Sequence, residues 1–241
     1  MNWIKPDWQL PEGVHVAVTL RSGGVSQGLY ASLNPASHVN DSTDAVIANR
    51  VIIKQMLALP AEPVWLQQVH GVDVVKADQV TDLPEADASF TDQSGVVCAV
   101  LTADCLPVLF CGDQGAVIAA AHAGWRGLQA GVIEQTIAAM NCRELQVWLG
   151  PAIGSTHFEV GDEVREAFVS QNPDTSVAFR ATQAGKWLAD IYQLARIRLS
   201  ALGVEQVDGG GLCTVSDAQR FYSYRRDGAA TGRMASLIWR D

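Results

Sequence analysis

Hydrophobic and polar positions alternate along this 241-residue chain with two different periods, and they mark out its elements. Residues 14–20 (VHVAVTL) form an apolar run of strand length, closed by the glycine-containing turn RSGGVSQG. A polar connection follows, and Asp41, Ser42 and Thr43 at its end are suited to cap a helix. That helix is predicted over 45–59, apolar nearly all round and stopped by Pro60. PVWLQQVHGVDVVKAD reads as two short strands meeting at His70 and Gly71, and the acidic stretch 84–95 reads as a loop.

The most apolar part of the chain is 96–127. Its portion 100–127, VLTADCLPVLFCGDQGAVIAAAHAGWRG, contains two runs of strand length joined by a glycine-containing turn. Thr102, Ala103, Asp104 and Cys105 interrupt the start of the first run, and His122 and Arg126 follow the second. Beyond it, 128–140 is a helix candidate, LQVWLGPAIG a strand ending at Gly150 and Pro151, and 161–171 a short helix. Leu188, Ile191, Tyr192, Ala195, Leu199 and Leu202 fall on one helical face, with Asp190, Gln193 and Ser200 turned away. The tail from 207 is glycine-rich, then arginine-rich, and closes on the strand-like SLIW. No repeat or linker divides the chain, so a single domain over 1–241 is expected. Strands outnumber helices without alternating one for one, which predicts a layered α+β fold with mixed sheets and helices packed outside.

Composition narrows the function classes. Hydrophobic residues make up 48% and charged residues 18%, enough for a substantial core. Seventeen basic against 26 acidic residues leave −9, which argues against a nucleic-acid partner. No run reaches the roughly 20 apolar residues of a membrane span. The opening MNWIKPDWQLPEG lacks the apolar centre of a signal peptide, so a cytoplasmic protein is expected. The five cysteines form no CxxC pair, and Cys98, Cys111 and Cys142 read as small buried hydrophobes. GxGxxG and GxxxxGK[ST] loops are both absent, which weakens nucleotide-cofactor readings.

Candidate chemistry concentrates on His70, Cys105 and His122, each adjoining a predicted strand end. Two imidazoles and a thiolate suit zinc, with copper also compatible, and leave a fourth tetrahedral position for water or substrate. Zinc there lowers the pKa of a bound water toward neutrality. The same residues admit a metal-free reading: a Cys105 nucleophile with His122 as base, as in a cysteine hydrolase. Asp104 is a weak partner for that histidine, because neighbours on a strand point to opposite faces. Arg21, Arg126, Arg225 and Arg226 lie in turn-like contexts suited to binding phosphate or carboxylate. Trp125, Phe221, Tyr222 and Tyr224 are equally suited to stacking on a planar base and to the core.

Taken together, LQQVHG, TADCLPVLF, AAAHAGWRGL, WLGPAIG and FYSYRRDG…TGRMAS resemble, in order, the motifs of the bacterial YfiH family. That family is also called the laccase-domain or multicopper polyphenol oxidoreductase family, and its members are zinc-dependent purine nucleoside phosphorylases. The resemblance runs from about Arg21 to the C-terminus. It implies that His70, Cys105 and His122 are the metal ligands and catalytic centre, set in a cleft. It also implies phosphorolysis of adenosine, inosine, guanosine and methylthioadenosine, with adenosine deamination at the same centre. Arg21, Gln68 and Arg126 are then the substrate-side candidates, an arginine serving the phosphate by charge-assisted hydrogen bonds. Leu20, Pro35 and Asn40 depart from the family pattern, all in N-terminal loops. The PCxxC motif of zinc deaminases is absent, so a deaminating centre here is built differently. A multicopper oxidase needs many more imidazoles than the five present. Self-association is left open.

Overall fold

The computed structural model describes residues 2–241. From the N-terminus, β1 (Trp3–Ile4) and β2 (Val14–Thr19) precede α1 (Thr43–Met56). Then come β3 (Val74–Lys76), β4 (Ala88–Thr91), β5 (Val97–Thr102), β6 (Leu106–Gly112) and β7 (Val117–Ala123). Helices α2 (Trp125–Ala130) and α3 (Val132–Met140) lead into β8 (Leu145–Leu149). Next follow β9 (Glu159–Gly161), α4 (Asp162–Val169), β10 (Phe179–Gln183), β11 (Lys186–Ala189) and α5 (Ile191–Ala201). The chain closes with β12 (Gln206–Gly209), α6 (Tyr224–Asp227) and β13 (Met234–Arg240).

An antiparallel four-stranded sheet, β1-β2-β13-β5, faces a mixed six-stranded sheet, β12-β8-β6-β7-β4-β3. In the larger sheet β12 and β8 run parallel, as do β3 and β4, and the other pairs are antiparallel. A small sheet, β10-β11-β9, pairs with neither but adds Val160, Phe179 and Ala189 to the core beneath the larger one. The α+β class with mixed sheets is therefore what the chain adopts.

Strand periodicity explains the layering. On β5, Cys98 and Val100 point into a core shared with Leu109 and Cys111 of β6 and Ile118 and Ala120 of β7. The alternate β5 residues Val97, Ala99 and Leu101 pack with Ile53 and Leu57 below α1. Leu106, Val108 and Phe110 of β6 face the other way, onto Leu128, Val132 and Ile133 of α2 and α3. Both faces of these strands are covered, which is why they read as unbroken apolar runs.

Several expectations change in detail. The TADC interruption is the crossover between the sheets: β5 belongs to one, β6 to the other, and Asp104 turns the chain with a φ of 88°. The expected loop 84–95 contains β4, whose ASFT core is β-prone but flanked by acidic residues that mask it. The two strands expected around His70 reduce to β3, with only isolated bridges from Val64 and Gln67 before it, and His70 occupies a bend with φ 61°. The 128–140 helix extends back to Trp125 and is broken at Gly131, whose φ of 106° only glycine adopts readily. Leu188 belongs to β11 rather than to a helix. Asp190 stops the strand and caps α5 by accepting from the Gln193 amide.

Candidate metal centre and its cleft

The structure brings His70, Cys105 and His122 together from three separate segments. Cys105 follows the sheet crossover, His122 lies near the end of β7, and His70 sits on the bend before β3. Their donor atoms all lie within 4.8 Å of one another. Cys105 Sγ is 3.8 Å from His70 Nε2, and the two imidazoles meet edge to face with centroids 4.8 Å apart. A tetrahedral zinc with normal bond lengths separates neighbouring donors by roughly 3.3–3.6 Å, so the cluster could hold one such ion once its most widely spaced donors close in by about 1 Å. Among the described residues it is the one such group of metal-binding side chains.

Asp87 organises this cluster, and sequence reasoning missed it. Its fully buried carboxylate lies 2.7 Å from His122 Nδ1 and accepts the amide protons of Val69, His70 and Gly71 at 3.1, 3.0 and 2.6 Å. The bond at Nδ1 turns His122 Nε2 toward Cys105 and His70, and the three amide bonds hold the left-handed bend that carries His70. Burial opposes ionisation of Asp87, but His122 and these amides outweigh it and hold its pKa below the ordinary value. The available sequence signal was an acid directly before a β-prone segment, and the acidic surroundings hid it.

Electrostatics prepares the thiol as a ligand. Burial raises the Cys105 pKa, yet the facing His122 and His70 outweigh that and bring it down to about 6. Burial lowers His122, and the Cys105 thiolate and the Asp87 hydrogen bond raise it to about 9. Cys98 and Cys111 have no such partners, and burial pushes them up to about 12 and about 11. A thiolate with two imidazoles, one of them fixed by a carboxylate, is the chemistry that a zinc-type ion requires.

Gly124 closes one side of the cluster. A Cβ there would lie 2.8 Å from His70 Cδ2 and 3.0 Å from Cys105 Sγ. Gly127 performs a similar service one turn later, since a Cβ would meet the Gly71 carbonyl at 2.8 Å. The glycines of HAGWRG therefore let α2 pack directly on the His70 bend. Asp104 does not touch His122. Its carboxylate accepts from the Thr214 and Ser223 hydroxyls and the Arg225 amide, tying the crossover to the C-terminal segment.

The cluster opens into a cleft of about 470 Å³. Apolar and aromatic walls come from Leu101, Trp125, Ile153, Phe158 and Tyr224, while Arg126, Arg225, Arg233 and His38 bring charge or polarity. The arginine ion pairs in the described residues are those of Arg198, Arg220 and Arg226, so the cleft's three arginines face no carboxylate at ion-pair distance. Arg126 is exposed and stacks on Trp125 with 4.4 Å to the ring. Gln68 lines the cleft, but its amide clamps both the N–H and the carbonyl of Leu101, each at 2.8 Å. Arg21 does not line the cleft; it lies over Tyr222 and donates to the Ala218 carbonyl. Arg226 is paired with Asp227, and Phe221 and Tyr222 are buried in the core. His15 stacks on Trp239 and His157 adjoins Cys213, so neither joins the cluster.

The fold is shared with known proteins. Residues 15–241 match the family described as multi-copper polyphenol oxidoreductase laccase, and the chain belongs to that family. It is 54% identical over 240 residues to a purine nucleoside phosphorylase of Pseudomonas aeruginosa, covering 98% of each chain. It is 52% identical over 242 residues to the purine nucleoside phosphorylase YfiH of Escherichia coli, again covering 98% of each. A crystal structure of a Neisseria meningitidis protein superposes with a TM-score of 0.96 at 51% identity, with both chains fully covered. YlmD from Geobacillus stearothermophilus superposes with a TM-score of 0.93 at 32% identity, covering 100% of this chain and 96% of that one. No helix among the described residues is long and apolar enough to cross a membrane.

Proposed function

We propose that this chain is a zinc-dependent purine nucleoside phosphorylase acting on adenosine, inosine, guanosine and methylthioadenosine, with adenosine deamination as a second activity of the same cleft. The observation that carries the reading is the pairing of a one-ion His/Cys/His cluster with three carboxylate-free arginines in one partly aromatic cleft. In a protein of net charge −9, such a cationic pocket suits an anionic co-substrate. The relatives' names point the same way.

In the reaction, a phosphate oxygen forms a bond to C1′ of the nucleoside as the C1′–N9 bond breaks. The electron pair leaves on the purine, which takes up a proton, and the products are the free base and a pentose 1-phosphate. His70, Cys105 and His122 would hold the ion, which when bound supplies Lewis acidity toward an oxygen in the cleft. The chain's own work is positioning. Asp87 holds His122 in one tautomer and orientation, and the positive charge of the cleft draws in phosphate. The aromatic wall of Trp125, Phe158 and Tyr224 suits a purine face. The family description names copper and polyphenols, but one three-ligand cluster is far from a multicopper centre. The test is adenosine turnover with and without phosphate. Adenine released only with phosphate supports the phosphorylase, inosine formed without phosphate adds the deaminase, and no turnover of either kind sinks the reading.

A further inference from the structure

We propose that the phosphate co-substrate is gripped by Arg233, through the Nε–Nη2 edge of its guanidinium, while Arg126 serves the outer, nucleoside side of the cleft. The inference rests on the phosphorylase reading and locates its anion. Three arginines line the cleft, and their hydrogen bonds separate them. Arg225 has both terminal nitrogens engaged, Nη1 and Nη2 donating to the carbonyls of His157 and Glu159 at 3.1 and 3.0 Å, so neither of its two-nitrogen edges is free. Arg126 makes only its stack on Trp125 and is exposed, so it must give up side-chain freedom to hold an anion.

Arg233 is held in advance. It immediately precedes β13, and its amide donates to Asn34 Oδ1 at 3.0 Å. Asn34 is fully buried, and its side-chain amide donates to Asp41 at 2.9 Å. The guanidinium is fixed by Nη1, which donates to the carbonyls of Thr231 and Gly232 at 2.7 and 3.0 Å. Nε and Nη2 have no protein partner. That edge offers two parallel N–H groups, the fork that matches two oxygens of a phosphate. The guanidinium lines the same cleft as His70, Cys105 and His122. Neither nitrogen of that edge is among the buried polar atoms without a partner, so water reaches it and a phosphate can take that water's place on a fork already held in position.

The experiment is steady-state phosphorolysis of adenosine by the zinc-loaded enzyme, with inorganic phosphate and adenosine varied in turn. Arg233→Gln is expected to raise the KM for phosphate at least about tenfold, with the adenosine KM within about twofold of wild type. Arg233→Lys keeps the charge, loses the fork, and should also raise the phosphate KM; it guards against misfolding of the glutamine variant. Arg126→Ala should move the adenosine KM more than the phosphate KM. An unchanged phosphate KM in both Arg233 variants overturns the assignment while leaving the phosphorylase reading intact. A wild-type enzyme that needs no phosphate overturns the reading itself, and this inference with it. Adenosine 5′-monophosphate distinguishes the other source of a phosphate group. If Arg233→Gln abolishes its inhibition while the phosphate KM stays, the guanidinium serves a nucleotide and the proposal fails.

Discussion

One oxygen of Asp87 joins the two histidines of the cluster: Oδ1 lies 2.7 Å from His122 Nδ1 and accepts the His70 amide proton at 3.0 Å. The same buried carboxylate thus fixes one ligand by its ring and the other by its backbone. Asp87→Asn keeps the shape but sets an NH2 group against N–H donors. It is expected to weaken zinc binding by about 10–100-fold, as losses of carboxylate partners to metal-bound histidines do. Competition with a chelator of known affinity measures it, and an unchanged affinity contradicts the positioning role.

The cysteines are expected to differ in reactivity. With the Cys105 pKa lowered to about 6, its thiolate is present above that pH and lost below it. Alkylation of the metal-stripped protein at Cys105 should rise through about pH 6 and level off, well below the range of an ordinary thiol. Cys98 and Cys111, raised to about 12 and about 11 and buried, should stay unreacted while the fold is intact. Zinc should protect Cys105. Mass spectrometry of alkylated peptides across pH checks all three statements.

Gly124 tests close packing against the ligands. Its backbone, at φ −61° and ψ 157°, is one that alanine adopts without strain. Gly124→Ala therefore acts through its Cβ, which would press on His70 and Cys105. Zinc affinity should fall at least about tenfold with far-ultraviolet circular dichroism unchanged. Wild-type affinity would mean that the ligands yield freely.

Asp104 tests the anchor of the crossover. Asp104→Ala leaves the Thr214 and Ser223 hydroxyls and the Arg225 amide without their acceptor, and places alanine at a φ of 88°. A loss of about 3 kcal/mol in unfolding free energy is expected. Urea denaturation of the metal-stripped protein measures it apart from zinc binding.

His70, Cys105 and His122 stood out because each adjoins the end of an apolar run, where a rigid strand can position a reactive side chain, but that pattern alone left a metal site and a thiol nucleophile both open. The chain's resemblance then tied the three together. The layers were legible in outline, since β5, β6 and β7 are apolar on both faces, but the crossover at Ala103–Cys105 looked like a mere interruption because nothing in a run of residues states which sheet it joins. Asp87 was hidden among acidic neighbours, and only the register of β4 against β7 carries it to His122. Arg233 lay unremarked in TGRMAS, since neither its cleft position nor its free edge follows from local pattern. Arg21 was conspicuous in sequence yet lies outside the cleft, which local glycine context could not reveal.

The most direct test joins metal content to activity in one preparation. Zinc per chain is measured for the wild type and for Cys105→Ala and His122→Ala, alongside phosphate-dependent release of adenine from adenosine. About one zinc in the wild type, with both variants folded, zinc-poor and inactive, is the predicted result. Full phosphorolysis by zinc-free protein, or stoichiometric zinc retained in both variants, would contradict the account.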